Sequence, residues 1–378
     1  MSAEKSKPRA LVIGGSLGGL MAGIESLHAG CDVEVFERSP RVLDDRGAGI
    51  VMQSETLHML THRCGLAEDE TGVRLRQRQY LGHDGKPESQ QYMPQLTTSW
   101  GLLQRALRET FPEERYHAGC ELLEFTDAGG TVSARFADGS EVCGNLLIGA
   151  DGSRSTIRQQ LFPEVQPRYA GYVAWRGVVH ERVAGAALLS TFGDYFTFQQ
   201  MHHSHILCYL IPGANGETQP GERRLNWVWY WNFSETELPR LMTGHDNRLH
   251  KYSIPPGHLC PEVVTAQQDI ASRVLCPQFF ELWQATQEPF LQPILDLGVP
   301  RMVSGRVALV GDAAFIPRPH TAASTSKAAA NAIALGEAVV AHPSDLERAL
   351  AEWEPDQLAL GRRLEAHGQM LGNRSQFS

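Results

Sequence analysis

The chain has 378 residues, of which 42% are hydrophobic and 20% charged, and this composition predicts a globular protein with two domains. Its formal charge of −9 disfavours a nucleic-acid partner, and no apolar run reaches the ~18 residues that a membrane-spanning helix needs. An odd number of cysteines without Cys-x-x-Cys spacing, and a polar N-terminus without an apolar signal region, predict a cytoplasmic protein without disulfides or a zinc site.

The first predicted unit is a strand at residues 10–14, a glycine-rich turn to Gly19 and a helix at residues 20–29. A second apolar strand, at residues 33–36, ends on the acid Glu37. Strand, tight turn, helix, strand and acid in this order are typical of a dinucleotide-binding unit. The turn lets the backbone approach a pyrophosphate, the helix N-terminus offers free N–H groups, and Glu37 can accept hydrogen bonds from a ribose.

Turn residues divide the next part of the chain into short elements. Gly47 and Gly49 mark a loop that another group approaches closely, and Ser54 is the expected N-cap of a helix. The expected elements are helices at 54–64 and 99–110, strands at 73–80 and 89–92, a meander at 121–126, 131–136 and 141–143, and a strand with its turn at 145–152, followed by a helix from Ser153.

From residue 169 to residue 233 the pattern becomes aromatic and β-branched, which predicts an antiparallel sheet with strands at 171–180, 195–201, 205–211 and 224–233. The last strand has two different faces, because successive side chains point to opposite sides. For the mixed polar face, packing within the sheet and a pocket for a planar ligand both stay open. One face carries Trp227, Trp229 and Trp231, and the other carries Asn226, Val228, Tyr230 and Asn232.

The C-terminal third is predicted to be mainly helical. A short strand from residue 305 ends in a third turn that combines a glycine with an acid, Gly311-Asp312. The expected helices lie at residues 262–287 with a break at Pro277, at 321–340, and at 345–371 with an interruption at Pro355.

Three turns that join glycine to an acid therefore lie far apart in the chain, the first ending at Glu37, the others at residues 151–152 and 311–312. With these turns the chain resembles the single-component flavoprotein aromatic hydroxylases, the family of p-hydroxybenzoate hydroxylase. The resemblance covers nearly the whole chain. It is also carried by the runs at residues 14–16, 36–40, 169–177, 229–232 and 318–320.

The resemblance implies a mixed α/β fold, with a Rossmann-like FAD-binding domain and an inserted antiparallel-sheet domain for the substrate. The FAD-binding domain is expected at residues 1–73, 97–168 and 299–378, and the substrate-binding domain at residues 74–96 and 169–298. The implied cofactors are FAD and, as a transient reductant, NADH or NADPH. The implied partners are O2 and a small aromatic substrate, without metal, nucleic acid or membrane; a homodimer is left open.

The same resemblance assigns residues to the cofactor. Gly14, Ser16 and Gly19 would hold the FAD pyrophosphate, Glu37 the adenosine ribose, and Arg38 would lie by the adenine. The full set of expected cofactor contacts is Gly14, Gly15, Ser16, Leu17, Gly18, Gly19, Glu37, Arg38, Gly49, Gln53, Asp151, Gly152, Asp312, Pro319, Ala322, Ala323 and Ser324.

Two further turns have separate implied roles. Asp151 and Gly152 would touch both FAD and the incoming NAD(P)H, and Asp312 would bind the ribityl chain. A helix that starts near Ala322 would point its N-terminus at the flavin N1/O2 edge, where its dipole stabilises the negative charge of reduced flavin.

Some positions depart from the family motif. After Pro319 the usual Gly-Gln-Gly is Ala-Ala-Ser at residues 322–324, whose small side chains still let the backbone come close. Asn331 stands for the usual aspartate, Phe315 for a histidine and Trp100 for an arginine. These positions predict altered contacts to FAD, with FAD itself retained.

The implied reaction is the reduction of FAD by NAD(P)H, the addition of O2 to give a flavin hydroperoxide, and oxygen transfer to an electron-rich phenolic or N-heteroaromatic ring. A base must ionise the substrate hydroxyl, and His320 is the candidate. The alternative interpretation of His320 is an exposed or core histidine that caps the following helix. Tyr209 and Tyr230 are further candidates for hydrogen bonds to the substrate.

Three histidines, His202, His203 and His205, could suggest a metal cluster. No carboxylate or fourth ligand lies near them in sequence, and alternate strand residues face opposite sides. A turn with solvated imidazoles is therefore predicted, and no metal.

Other activities stay open on the sequence alone. The same flavin chemistry could serve Baeyer–Villiger or epoxidising oxygenation. A flavin halogenase is disfavoured, because Tyr230-Trp231 stands where an Ile-Pro should follow Trp227-x-Trp229. A non-catalytic nucleotide-binding protein is a fourth alternative.

Overall fold

A computed structural model describes residues 7–41 and 49–378, so the expected loop at Gly47 lies outside the described residues. Helices and strands are interspersed along this part of the chain, and the expected mixed α/β fold is confirmed. The strands are β1 Arg9–Ile13, β2 Asp32–Glu37, β3 Gly49–Val51, β4 Val73–Leu81, β5 Pro87–Ser99, β6 Tyr116–Ala118, β7 Leu122–Asp127, β8 Val132–Phe136, β9 Glu141–Gly144, β10 Leu146–Gly149, β11 Arg168–His180, β12 Tyr195–Met201, β13 Ser204–Ile211, β14 Arg224–Asn232, β15 Phe290–Gly298, β16 Val303–Ser304, β17 Val307–Leu309 and β18 Phe315–Ile316.

The α-helices pack against these strands and against each other, with α1 lying beside α9 and α9 beside α10. None of them, within the described ranges, is both long and apolar enough to cross a membrane. The α-helices are α1 Leu17–His28, α2 Ser54–His58, α3 Trp100–Thr110, α4 Thr156–Leu161, α5 Glu181–Phe192, α6 Leu238–Leu241, α7 Pro261–Val274, α8 Pro277–Gln284, α9 Ser324–Ala341 and α10 Leu346–Phe377.

The smaller main sheet has the strand order β16-β17-β10-β1-β2-β6 and is parallel around its centre. The central strand β1 reads Arg-Ala-Leu-Val-Ile, and Ala10, Leu11 and Val12 are fully buried. A continuous apolar run is what a strand needs when both faces are covered. The carboxyl ends of β1, β2, β10 and β17 therefore bring the three glycine-and-acid turns to one edge of this sheet.

The larger sheet has the order β18-β15-β11-β14-β13-β12-β4-β5-β3 and is mainly antiparallel. The tryptophan face of β14 packs on α8, where the Trp283 ring lies 5.2 Å from that of Trp227 and 5.7 Å from that of Trp229. Trp227 and Trp229 are fully buried, so this face is core. The opposite face of β14, which carries Asn226, Val228 and Tyr230, is therefore the face available for a ligand.

Two strands of the larger sheet, β3 and β18, come from segments that the sequence assigns to the FAD-binding domain. The main chain thus crosses between the two sheets more often than the expected boundaries imply. Those boundaries stay a prediction, as do the cytoplasmic location and the homodimer.

Several expected elements differ from the structure. The helix expected at residues 54–64 is capped by Gln53, not by Ser54, and becomes a π-helix at Met59–Arg63. The helix expected from Ser153 begins as a 3-10 turn, Gly152–Arg154, and α4 follows with Ser155 as its N-cap. The strand β15 and the helix α5 were not predicted, and α5 contains a non-helical glycine at position 185, which weakens its periodic pattern.

The last helix also differs from the expectation. It runs through Pro355 without a break and ends at Phe377, six residues beyond the expected end. A proline loses one backbone hydrogen bond and bends a helix, but packing can hold the helix together. The C-terminal residues of α10 are held by the larger sheet, because Asn232 Nδ2 donates to the carbonyl oxygen of Gln376 at 2.7 Å.

Candidate active site

The turn after β1 leaves no room for a Cβ at Gly14, Gly15 or Gly19. A Cβ on Gly15 would lie 2.3 Å from the Tyr116 hydroxyl oxygen, and one on Gly19 would lie 1.8 Å from the Gly14 carbonyl oxygen. Helix α1 begins at Leu17 with Ser16 as its N-cap, and the Ser16 hydroxyl makes no capping hydrogen bond. The N-terminus of a twelve-residue helix therefore faces the turn without a side-chain cap, which suits an anion such as a pyrophosphate.

Glu37, at the end of β2, is bound to the same turn. Its Oε2 accepts a hydrogen bond from the Gly15 N–H at 2.7 Å, and its Oε1 accepts one from the Ser39 N–H at 2.9 Å. An ionised carboxylate has about four lone-pair sites, so two contacts leave acceptor capacity for a ribose diol. The acid thus positions the turn and still has acceptor sites for a ligand.

The second acid, Asp151, has one oxygen engaged and one without a partner. Its Oδ2 accepts hydrogen bonds from the backbone N–H groups of Thr156 and Ile157, at 2.7 and 3.3 Å. Its Oδ1 is buried and has no hydrogen-bond partner in the described part of the chain. Burial raises the pKa of Asp151, and the hydrogen bonds from Ser155 and the helix backbone oppose this rise. A ligand hydroxyl at this point would satisfy the unpartnered oxygen.

The third acid, Asp312, faces the same groove with 44% of its side chain exposed. Its Oδ1 accepts hydrogen bonds from Ser324 Oγ at 2.7 Å and from Lys327 Nζ at 3.1 Å. The Lys327 side chain is 1% exposed, and burial lowers its pKa while Asp312 opposes that effect. The ammonium group also donates to the Phe315 carbonyl oxygen. This second contact fixes the position of Nζ, which in turn holds the Asp312 carboxylate.

All three turns line one groove in the structure. Ten of the expected contacts lie outside its lining. Gly15, Gly18 and Gly19 form the turn itself, and Leu17 is buried behind it. The other six come from separate segments of the chain: Gly49, Gln53, Pro319, Ala322, Ala323 and Ser324. The groove therefore offers a helix N-terminus without a side-chain cap and the three acids Glu37, Asp151 and Asp312. One oxygen of Asp151 has no hydrogen-bond partner in the described part of the chain. These groups fit a dinucleotide such as FAD. The expected contacts that line the groove are Gly14, Ser16, Glu37, Arg38, Asp151, Gly152 and Asp312.

The segment from Pro319 to Ser324 joins this groove to the larger sheet. Helix α9 begins at Ser324, two residues later than the expected start near Ala322. Ala322 has φ = 51°, in the left-handed region, and follows the 3-10 turn Pro319–Thr321. Gln53 fixes this segment, because its Nε2 donates to the Ala322 carbonyl oxygen at 2.9 Å and its Oε1 accepts from Ser326 Oγ at 2.9 Å.

On the other side of that segment, His320 contacts the larger sheet. Its Nε2 lies 2.8 Å from the hydroxyl oxygen of Tyr172 on β11, and its ring centroid lies 4.5 Å from that of Tyr230 on β14. Burial lowers the pKa of His320 to about 3, and the nearby His205 and Arg318 add to the effect. The imidazole is therefore neutral at pH 7, and it points into the sheet face instead of capping α9.

His205, on β13, is the second imidazole of this face. Its Nδ1 lies 2.6 Å from Ser375 Oγ near the end of α10, and its ring lies 5.3 Å from that of His320. Burial lowers its pKa to about 4. The prediction that His202, His203 and His205 form a turn with solvated imidazoles is wrong for His205, which lies in the strand and is 5% exposed.

The two candidate tyrosines lie on the same face. Burial raises the pKa of Tyr230 to about 12 and that of Tyr209 further, while the charge of Arg176 opposes both shifts. The phenols are therefore neutral hydrogen-bond donors at pH 7. Arg176, on β11, is paired in register with Val228, and its buried Nε has no hydrogen-bond partner in the described chain.

Gly49 connects the groove segment to this face. Its N–H donates to Asn226 Oδ1 at 3.0 Å, and a Cβ on Gly49 would lie 2.6 Å from Asn226 Nδ2 and 2.8 Å from Tyr209. This is the close approach that its loop predicts, although the approaching group is the sheet face. No separate contact of Gly49 with the groove is needed to explain the glycine.

Sequence reasoning missed Tyr172, Arg176 and His205 as site residues, and it missed Lys327 beneath Asp312. The signal for the strand residues was available. In β11 and β13, as in β14, alternate positions share a face, and the register pairs His205 with Tyr230 and Arg176 with Val228. The position of Lys327 had no comparable signal, because a lysine in a helix of small residues is normally predicted to face solvent.

Comparison with known proteins defines the class. A family model described as FAD binding domain-like matches residues 169–296. The relatives described in the next paragraph show that the chain belongs to the FAD-dependent aromatic monooxygenases, as its resemblance implied, and the groove and the sheet face agree with this. It is a hydroxylating enzyme with FAD as cofactor, and NAD(P)H is the reductant typical of this class.

Among its relatives is the 2,6-dihydroxypyridine 3-monooxygenase of Paenarthrobacter nicotinovorans, 36% identical over 93% of this chain and 88% of that one. The solved structure of 2,6-dihydroxypyridine-3-hydroxylase from Arthrobacter nicotinovorans superposes with a TM-score of 0.92, at 35% identity, over 98% of this chain and 93% of that one. An FAD-dependent urate hydroxylase of Klebsiella pneumoniae is 28% identical over 92% and 85% of the two chains.

Proposed function

We propose that this enzyme hydroxylates a small planar N-heteroaromatic ring that carries ionisable hydroxyl groups, of the dihydroxypyridine kind. Two of the relatives reported above are named for a dihydroxypyridine and for urate, both nitrogen rings with exchangeable protons. The sheet face formed by Tyr172, Arg176, His205, Tyr209 and Tyr230 is the proposed substrate surface. Its chemistry is the independent support for this substrate class.

The observation that carries the proposal is the Arg176 side chain, whose buried Nε has no hydrogen-bond partner in the described part of the chain. A guanidinium stays charged at any working pH, and a buried N–H without an acceptor is costly. An anionic oxygen on the substrate would satisfy the Nε of Arg176, with Tyr209 and Tyr230 as neutral donors beside it. The positive charge would also lower the pKa of a bound hydroxyl, which favours the ring anion.

His320 is the proposed proton acceptor. When it takes the proton, the substrate O–H bond breaks, and the electron pair left on oxygen enriches the ring carbons. Bound FAD, reduced by NAD(P)H, supplies the activation of O2. Because burial depresses its pKa to about 3, His320 holds the proton only briefly. The Tyr172 hydroxyl, 2.8 Å from His320 Nε2, relays it towards solvent water, which is the final acceptor.

The test is a substrate panel with the FAD-loaded enzyme, read by NADH and NADPH oxidation and by product mass. We expect dihydroxypyridines to stimulate oxidation of the preferred nucleotide and to give a +16 product with an intact ring. Stimulation by simple phenols alone would overturn the substrate class, and a ring-opened product would indicate Baeyer–Villiger chemistry instead.

Two variants test the residue roles. Arg176→Gln should raise KM for the anionic substrate more than it lowers kcat, while Arg182→Gln, an exposed arginine, is the matched control. His320→Gln should lower kcat by about 100-fold at pH 7 and recover where the substrate ionises by itself. Equal pH profiles for His320→Gln and the wild type would refute the proton-transfer role.

A further inference from the structure

A cluster of side chains that could ligate a metal lies outside the active site, in the irregular segment between α6 and α7. Short backbone hydrogen bonds fold this segment onto itself. The Gly244 N–H donates to the Arg248 carbonyl oxygen at 2.9 Å, and the His245 N–H donates to the His258 carbonyl oxygen at 3.0 Å. Residues that are far apart in sequence are thereby held side by side.

Three side chains of this segment converge. The ligand atoms of Asp246, His250 and His258 all lie within 4.8 Å of one another. Asp246 Oδ1 is 3.6 Å from His250 Nε2, and ligand atoms on a tetrahedral Zn²⁺ are about 3.3 Å apart, since each bond is about 2.0 Å long. Small side-chain rotations would therefore close the set around an ion.

The groups are also prepared for a ligand. His250 Nε2 is buried and has no hydrogen-bond partner in the described residues, although it points at Asp246. The Arg248 N–H donates to Asp246 Oδ1 at 3.1 Å and so orients the carboxylate. The ring of His258 is stacked on that of His245, with centroids 5.4 Å apart, which fixes its plane.

We propose that Asp246, His250 and His258 form a binding site for a divalent first-row transition ion, with Zn²⁺ as the preferred occupant. Two imidazoles and one carboxylate are the ligand types such ions take, and three protein ligands leave a fourth position for water. None of its three residues lines the dinucleotide groove or belongs to the proposed substrate surface.

The position of the segment gives the ion a structural consequence. In the sequence, Tyr252 comes between the proposed ligands His250 and His258. The guanidinium of Arg154 lies 4.8 Å from the centre of the Tyr252 ring. Arg154 in turn lines the dinucleotide groove. A bound ion would join residues 246 and 258 and thereby hold the segment that contacts the rim of the groove.

A plain ion pair is the competing explanation. Ion pairs of Asp246 with His250 Nε2, at 3.6 Å, and with Arg248 Nε, at 3.7 Å, would account for those residues, but not for the third converging imidazole of His258. An ion pair predicts no affinity for metal beyond that of any exposed histidine. The two explanations therefore differ in stoichiometry and in their response to single substitutions.

The experiment uses the full-length, FAD-loaded enzyme, freed of metal with a chelator and titrated with Zn²⁺ against a chromophoric competitor. We expect one tight ion per chain, and at least a tenfold weaker affinity in Asp246→Asn and in His258→Ala. His202→Ala removes an exposed imidazole elsewhere and is the matched control, with unchanged affinity. Equal affinity in all four proteins, or no stoichiometric binding, would overturn the proposal.

A second measurement tests the site without relying on affinity. Arg248 and Lys251 are exposed and lie between the proposed ligands, so trypsin can cut the segment at these two residues. Zn²⁺ should slow both cuts in the wild type and in His202→Ala, but not in Asp246→Asn. Protection that persists in Asp246→Asn would place the ion elsewhere and refute the site.

Discussion

Two buried imidazoles, those of His205 and His320, should make the fold sensitive to acid. Burial lowers their pKa values to about 4 and about 3, below the usual 6.5. The unfolded chain therefore takes up protons between pH 6.5 and these values, while the folded chain does not. Stability must then fall as the pH falls through this window, and the loss ends once both folded pKa values are passed.

The size of the effect follows from the pKa values. At pH 5 an imidazole with the usual pKa lies about 1.5 pH units below its midpoint, whereas the buried ones are still neutral. One pKa unit corresponds to about 1.36 kcal/mol, so each imidazole costs about 2 kcal/mol at pH 5 and the pair about 4 kcal/mol. This is a large part of the 5–15 kcal/mol by which domains are typically stable.

Urea unfolding at pH 7 and pH 5 measures this cost. His205→Gln removes one titrating group and should lose about 2 kcal/mol less than the wild type between the two pH values. His202→Gln changes an exposed imidazole of the adjacent turn and should lose as much as the wild type. If His205→Gln and the wild type lose the same free energy, the imidazole of His205 is not held neutral and the reasoning fails.

Three further changes test single contacts. Asp296→Ala removes from the buried Arg318 its carboxylate partner and the two hydrogen bonds, of 2.8 and 2.7 Å, that it donates to Asp296. The free energy of unfolding in urea should fall by about 3–5 kcal/mol, and a loss under about 1 kcal/mol would contradict this. Ala322→Gly relieves a left-handed backbone and should raise the same quantity by about 1 kcal/mol, whereas a decrease would speak against the strain. Lys327→Met removes the ammonium that holds Asp312, so flavin fluorescence should report about tenfold weaker FAD binding, and an unchanged affinity would refute this role.

The sequence predicts local turns well because their causes are local. The turn at residues 14–19 needs glycine where a Cβ would collide with neighbouring atoms. The three acids lie at or just after the ends of β2, β10 and β17, each behind an apolar run. Each such strand can be identified from four or five residues. That the three turns meet follows from the parallel order of the strands, which the family resemblance implied.

The proposed substrate surface could be predicted only in part, because the alternation of side chains along a strand shows which residues share a face and not what covers that face. Tyr230 was placed on the mixed face of β14, but its neighbours His205 and Tyr172 come from other strands through long-range pairing. The end of α10 was missed for the same reason. From the sequence, Ser375 is expected in a polar C-terminal tail. Only its contact with His205 shows that it lies beside the sheet face.

Two of the departures from the family motif, Ser324 and Asn331, lie around Asp312. Ser324 donates to Asp312 Oδ1, as does Lys327, and Asn331 accepts the N–H of the neighbouring Gly311 at 3.1 Å. A bare carboxylate in a groove that also binds a pyrophosphate would repel the pyrophosphate. The ammonium of Lys327 lies directly behind the carboxylate and offsets its charge, so that Asp312 can accept hydrogen bonds from ligand hydroxyls without adding net negative charge to the groove.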